Sequence, residues 1–235
     1  MKLGVCIPTY RRVDGKSPKF LKRALRSIKK QYHQDFKVFL IGDHYEDGDE
    51  FTRIATRVLD AGKIYYENLP FAVERSKYSD DRRKLWCCGG VNATNYGIKK
   101  SIEDGLNWVC HLDHDDYWKN DHLEKINSAI EEHEFPDVIF TSSSYGGKKN
   151  ILPLESGNSG GITFKLPSSS NVIHSSTAVN FSKINLRYRD VYEEEGYTYP
   201  ADADLWDRLS KLQETQAIRS CFVDSLTCIQ PQEGK

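Results

Sequence analysis

Residues 108–118 read WVCHLDHDDYW, an apolar run followed at once by three acids, Asp113, Asp115 and Asp116. The run Trp108–Leu112 has the length and composition of a buried strand. Carboxylates crowded this closely repel one another unless something neutralises them. A divalent cation does so, and an oxygen-only donor set suits Mg²⁺ or Mn²⁺. Mg²⁺ is commonly held by one or two carboxylates plus substrate phosphates, so an Asp-x-Asp pair after a strand suits a metal–diphosphate site. Acidic loops and helix caps also produce the pair, and Asp116 can simply cap a turn before Lys119.

Working outward, strand-like and helix-like patterns alternate. Upstream come a strand at Leu3–Pro8, a helix over about 18–32, a strand at Phe36–Gly42, a helix from Glu50 to Ala61 and a strand at Lys63–Asn68. A polar loop to about residue 85 and a helix from Leu85 to Asp104 lead to the central run. Downstream come a helix over Asp121–Glu132 and a strand over Asp137–Ser142. Gly/Ser-rich stretches follow, then a helix over Ala203–Gln213 and a strand near Ser220–Val223. This order predicts an α/β fold with a mostly parallel central sheet flanked by helices. Ligands of such sheets bind beyond the carboxyl ends of the strands. There the sequence places Thr9, Tyr10, Arg11 and Arg12, then Asp43 and His44, then Asp113, His114, Asp115 and Asp116. No strand end carries G-x-G-x-x-G or G-x-x-x-x-G-K-[ST], which disfavours a dinucleotide fold and a P-loop enzyme.

These segments together resemble a GT-A-fold glycosyltransferase of the family 2 type. The likeness rests on strand-PTYRR, strand-GDH, the Gly-rich N-A-T-N-Y-G-I helix start, strand-LDHDDYW and PADADLWDRL at 200–209. It covers residue 3 to about 212 and implies a GT-A (Rossmann-like) sheet with a smaller acceptor-side sheet. It further implies that Pro8, Thr9, Tyr10, Arg11 and Asp43 hold the nucleoside. Gly90, Asn92 and Asn95 would lie near the base and sugar, although Thr94 stands where the family has Arg. Arg82, Arg83 or Lys84 would then supply the missing charge. Asp115 would ligate Mn²⁺ or Mg²⁺, with Asp113 as a second ligand near the ribose or sugar and His114 between them. Asp202 falls on the catalytic-base position, although Ala201 replaces the preceding Glu; Asp204 is its nearest rival. Both can also be read as helix caps ahead of a Leu205, Trp206, Leu209 core stripe. In VIHSSTAVNF at 172–181, read as a strand, His174 would face the diphosphate or acceptor. Ile229–Gln230 stands where the family often has a further His.

The resemblance implies an inverting, metal-dependent transfer from a nucleotide-diphosphate sugar, a UDP-sugar favoured, to a glycan or lipid-linked glycan. It also implies one catalytic domain over 1–235, with 1–118 binding donor and 119–235 binding acceptor. Its expected place is cytoplasmic, with peripheral contact at the inner face of a membrane. A nucleotidyltransferase and a non-catalytic nucleotide- or carbohydrate-binding module are the alternatives. The first would release pyrophosphate, and the second would bind donor without turnover.

Composition agrees with this class. The chain has 235 residues, 33 Lys+Arg against 34 Asp+Glu, and a net charge of −1, which argues against a general nucleic-acid binder. The balance hides a segregation: residues 1–30 hold ten bases and one acid, whereas residues 185–235 hold ten acids and six bases. The basic helix near the N-terminus reads as a solvated face, or as attraction to an anionic membrane or phosphate-bearing acceptor. Six cysteines without a secretory signal read as reduced buried thiols, and vicinal Cys87–Cys88 lacks metal or redox spacing. The loops at 69–85 and 143–170 are long enough to act as lids.

Overall fold

The computed structural model describes residues 1–133, 136–146, 150–153, 161–164, 166, 168–193 and 199–231. Strand β1 (Leu3–Thr9) is buried along almost its whole length, as a central parallel strand must be. Helix α1 (Ser17–Lys29) starts with a proline in its first turn and buries Phe20, Leu21, Ala24, Leu25 and Ile28 on one face. After β2 (Phe36–Gly42) the Asp47 carboxylate accepts the Glu50 N–H at 2.9 Å and opens α2 (Gly48–Val58). β3 (Ile64–Asn68) follows.

The 69–85 segment differs from the expected long loop. It contains α3 (Val73–Lys77) and the start of α4 (Arg82–Cys88), which the Asp81 carboxylate caps through the N–H groups of Arg83 and Lys84. The single helix expected over Leu85–Asp104 is broken in two, because Gly90 adopts φ +90° and becomes the first cap of α5 (Val91–Glu103). β4 (Trp108–His111), β5 (Tyr117–Trp118), α6 (His122–Glu132) and β6 (Val138–Tyr145) come next. Of the 143–170 loop, β7 (Asn150–Leu152) and β8 (Ile162–Thr163) are described; residues 147–149, 154–160, 165 and 167 lie outside the described residues. The strand expected at 172–181 is shorter: His174–Ser176 forms a 3₁₀ turn before β9 (Thr177–Asn180). Helix α7 (Ala201–Glu214) begins where expected, and β10 (Ser220–Gln230) runs well past Val223, with register shifts after Val223 and Leu226.

The described strands form one sheet in the order β3-β2-β1-β4-β9-β6-β10-β5, with β7 on β6 and β8 on β10. The β3-β2-β1-β4 half is parallel. Antiparallel β9 joins it to the parallel β6–β10 pair, and β5 closes the far edge antiparallel to β10. Alternation along β1 sorts the two faces. Leu3, Val5 and Ile7 pack with α1, α2 and α6 in one core. Cys6 packs with α5 and α7 in the other, through Ile98, Leu205, Trp206 and Leu209. All six cysteines are buried and unpaired.

Candidate active site

A cleft of about 680 Å³ opens at the carboxyl ends of β1, β2 and β4. At its β1–β2 end, Asp43 is buried and receives the Arg75 Nε–H on Oδ2 at 2.8 Å. The Arg75 guanidinium lies 3.3 Å from the Tyr10 ring centroid, and the His114 ring meets Tyr10 edge-on at 5.3 Å. Burial pushes the Asp43 carboxyl up, against the pull of Arg75. Asp43 Oδ1, Thr9 Oγ1 and His114 Nε2 are buried with no hydrogen-bond partner among the described residues. Orphaned atoms in cleft-lining residues mark places where a ligand completes the bonding.

At the β4 end, the Asp113 N–H donates to Ser175 Oγ at 2.9 Å, and that hydroxyl donates to Asp116 Oδ2 at 2.6 Å. Burial pushes the Asp116 carboxyl well above the usual range, with Asp113 and Asp115 adding to the effect. Asp113 goes the other way: burial opposes ionisation, but His174 outweighs it. Their surroundings thus push Asp113 and Asp116 in opposite directions. His174 Nδ1 lies 2.9 Å from Asp113 Oδ1, and Nε2 lies 2.8 Å from the Tyr188 hydroxyl. Burial lowers the affinity of His174 for a proton, yet Asp113 raises it further and the net shift is upward. Asp115 is more open: Arg12 Nη1 lies 3.7 Å from its carboxylate, and the Arg23 guanidinium holds its carbonyl. Asp202, at the start of α7, lines the same cleft. Burial raises its carboxyl while His174 opposes that rise, and its Oδ1 accepts the Ala203 N–H at 2.9 Å.

A model described as glycosyl transferase family 2 matches residues 84–195. An uncharacterized glycosyltransferase of Acanthamoeba polyphaga mimivirus, R139, is 35% identical over 239 residues, spanning 100% of this chain and 95% of that protein. The chain belongs to glycosyltransferase family 2. Among solved structures, S. aureus TarS 1–349 in complex with UDP-GlcNAc superposes on this family 2 chain with a TM-score of 0.67 at 16% identity, over 100% of this chain and 60% of that one. The same TarS fragment in complex with UDP gives 0.63 at 17% identity, over 97% and 60%. The family 2 chain thus spans about 60% of the length of that TarS fragment, and the likeness is one of fold, GT-A.

Of the residues singled out in this glycosyltransferase, Pro8, Thr9, Tyr10, Asp43, Gly90, Asp113, His114, Asp115, His174 and Asp202 all line the one cleft. Three others lie elsewhere. Arg11 Nε turns to Glu50 at 3.5 Å, Asn92 gives its N–H to Glu74 Oε1 at 3.0 Å, and Asn95 exchanges hydrogen bonds with the backbone of Tyr188. Asn95 therefore braces the loop carrying Tyr188 against His174. Asp204 is wholly buried between Arg189 and Arg208, at 2.6–2.9 Å, which leaves Asp202 as the carboxylate facing the cleft. The cation missed in the sequence is Arg75. Thr94 instead turns its hydroxyl to the Gly90 carbonyl at 2.9 Å, and Arg75 arrives from α3. Gly89 permits this approach, since a Cβ there would stand 3.2 Å from Arg75 Nη2 and 2.5 Å from the Leu85 carbonyl oxygen.

No group of three His, Cys, Asp or Glu side chains converges as a ready-made metal cage among the described residues. The half-exposed carboxylate of Asp115, with Asp113 two residues before it, fits a different kind of site. Such a site has one or two carboxylates, completed by substrate phosphate oxygens. Gln230, of the Ile229–Gln230 pair, lines the cleft with a buried Oε1 that has no hydrogen-bond partner among the described residues. No described helix is long and apolar enough to cross a membrane.

Proposed function

We propose that this enzyme transfers a sugar from a UDP-sugar to the hydroxyl of a glycan or lipid-linked glycan, inverting the anomeric centre. The observation that carries this reading is the continuity of the cleft. Its one end holds the Arg75-clamped, half-satisfied Asp43 carboxylate, and its other holds Asp202 beside His174. UDP and UDP-GlcNAc bind the TarS fragment of the same fold. In this chain Asp43 Oδ1 would accept an N–H of the base, whose ring Tyr10 and Arg75 flank. Asp113 would face the ribose or sugar, placing donor binding mainly within residues 1–118 and acceptor binding within 119–235.

Asp115, with Asp113, would hold Mg²⁺ or Mn²⁺, which would neutralise charge on the departing diphosphate. The chain's own groups do the rest. Asp202 takes the proton of the acceptor hydroxyl, and its raised basicity favours that transfer. The hydroxyl oxygen forms the new bond to the anomeric carbon from the face opposite the diphosphate. The old carbon–oxygen bond breaks and its electron pair leaves on the diphosphate, so a single displacement inverts the centre. His174, whose affinity for a proton Asp113 raises, would present positive charge to that developing charge when protonated. No protonated carboxylic acid is needed for the leaving group, unlike in glycoside hydrolysis.

Incubation with UDP-GlcNAc, Mn²⁺ and a saccharide acceptor, followed by proton NMR, tests the reading. UDP release together with an inverted anomeric product supports it; retention of configuration, or pyrophosphate release when UTP and a sugar 1-phosphate are supplied instead, contradicts it.

A further inference from the structure

Of the four tryptophans, Trp108, Trp118 and Trp206 are buried at 4%, 2% and 4% exposure, whereas Trp86 is 65% exposed. Trp86 is not scattered on a convex surface: it lines the active-site cleft. The anchoring of α4 explains the orientation. Lys84 Nζ sits 5.5 Å from the Tyr78 ring centroid and 5.4 Å from that of Tyr192, and the Cys88 thiol donates to Asp190 Oδ1 at 3.3 Å. With that face pinned, Arg82, Trp86 and Gly89, at i, i+4 and i+7, form a stripe that faces the cleft. Gly89 borders Arg75 at the nucleoside end. Trp86 lies about 4.5 Å and Arg82 about 10 Å further back along the helix axis. Leu85, between them, packs into the core that contains Ala201, the neighbour of Asp202.

We propose that Trp86 is the stacking platform for the acceptor, and that the acceptor presents a pyranose ring there, with Arg82 donating hydrogen bonds to its hydroxyls. The assignment rests on the transferase reading above and names the side chains that would receive its glycan acceptor. The apolar face of a sugar ring matches the flat indole, and an amphipathic aromatic with few rotamers holds such a ligand at small entropic cost. The incoming hydroxyl must arrive at Asp202, which lines the same cleft as Arg82, Trp86 and Gly89.

The test is a titration of the ¹⁵N-labelled protein, saturated with UDP and Mn²⁺, with lactose, maltose, cellobiose and diacetylchitobiose. The four indole N–H signals are followed, with Trp86 assigned through Trp86→Phe. At least one saccharide should shift the Trp86 signal saturably while those of Trp108, Trp118 and Trp206 stay fixed. Trp86→Ala should weaken that saccharide about tenfold or more, and Trp86→Phe should keep it within about threefold, with the Kd for UDP unchanged in both. Two outcomes overturn the platform while leaving the transferase reading intact: UDP binding with no saccharide shifting Trp86, or saccharide binding indifferent to Trp86→Ala. Failure of UDP itself to bind overturns the transferase reading, and the platform with it.

Discussion

At the scale of single residues, the two carboxylates at the start of α7 have opposite duties. Asp202 faces the cleft with a raised pKa, and Asp204 is sealed between two arginines. Asp202→Asn should lower transfer by about 10²–10⁴-fold with UDP affinity intact, read as kcat against the Kd for UDP. A base must be unprotonated to act. The acid limb of the wild-type rate profile should therefore fall away above the ordinary carboxylate range, and Asp202→Asn should remove that limb. The groups facing Asp202 that set this limb are His174, which lowers its pKa, and Asp113, which raises it. Asp204→Ala should instead destabilise the fold by about 1–3 kcal/mol, because it removes the buried carboxylate that accepts from both Arg189 and Arg208. Thermal unfolding reads that cost. Arg75→Ala should weaken UDP binding by about 10–100-fold, and Arg75→Lys should not restore it, since an ammonium cannot both stack on Tyr10 and bond Asp43. Asp43 and Asp113 were legible as strand-end acids, whereas Asp202, Asp204 and His174 were legible only through the family resemblance of PADADLWDRL and VIHSSTAVNF. Arg75 was not: nothing in VERSK signals that a five-residue helix folds back over Tyr10.

Among the elements, the strands could be read because β1, β2 and β4 are apolar on both faces and so appear as unbroken runs. α3 and α4 could not, since helices of five and seven residues hold too few turns for a periodic pattern and exist through tertiary contacts. The break between α4 and α5 follows from the positive φ of Gly90, which an apolar pattern continuing on both sides conceals. α5 carries its own test. A Cβ at Gly97 would stand 2.5 Å from Cys6 Sγ and 3.2 Å from Ile41 Cγ1, where α5 rides over β1 and β2. Gly97→Ala should cost about 1–3 kcal/mol through overpacking, measured as a lowered Tm, with the active-site residues themselves untouched.

For the whole molecule, the even balance of charge resolves into local arrangements. Glu74 is the clearest stability lever. It is 4% exposed, its Oε1 caps α5 through the Asn92 N–H, and burial pushes its pKa up to about 7. Its folded pKa lies above its unfolded one, so the native state binds more protons between the two. Its contribution to stability therefore falls as pH rises through that window. Glu74→Gln, which keeps an acceptor for Asn92, should raise the Tm relative to wild type at pH 8 by the equivalent of about 3 kcal/mol or less, and the gap should close near pH 4. The parallel half of the sheet and the position of the cleft follow from the alternating pattern, but the joining of its two halves through β9 does not. The pairing of β4, β9 and β6 links segments about 40 to 70 residues apart, through a turn at His174–Ser176 that has no periodic signature.

On the proposed function, one cleft would hold a nucleoside diphosphate between Asp43 and a cation at Asp115. Thermal unfolding of the wild type and of Asp115→Asn, with UDP in the presence and absence of Mn²⁺, tests it most directly. The wild-type Tm should rise most with UDP and Mn²⁺ together, and Asp115→Asn should lose the metal-dependent part. An equal rise without metal, or the same metal-dependent rise in Asp115→Asn, would contradict it.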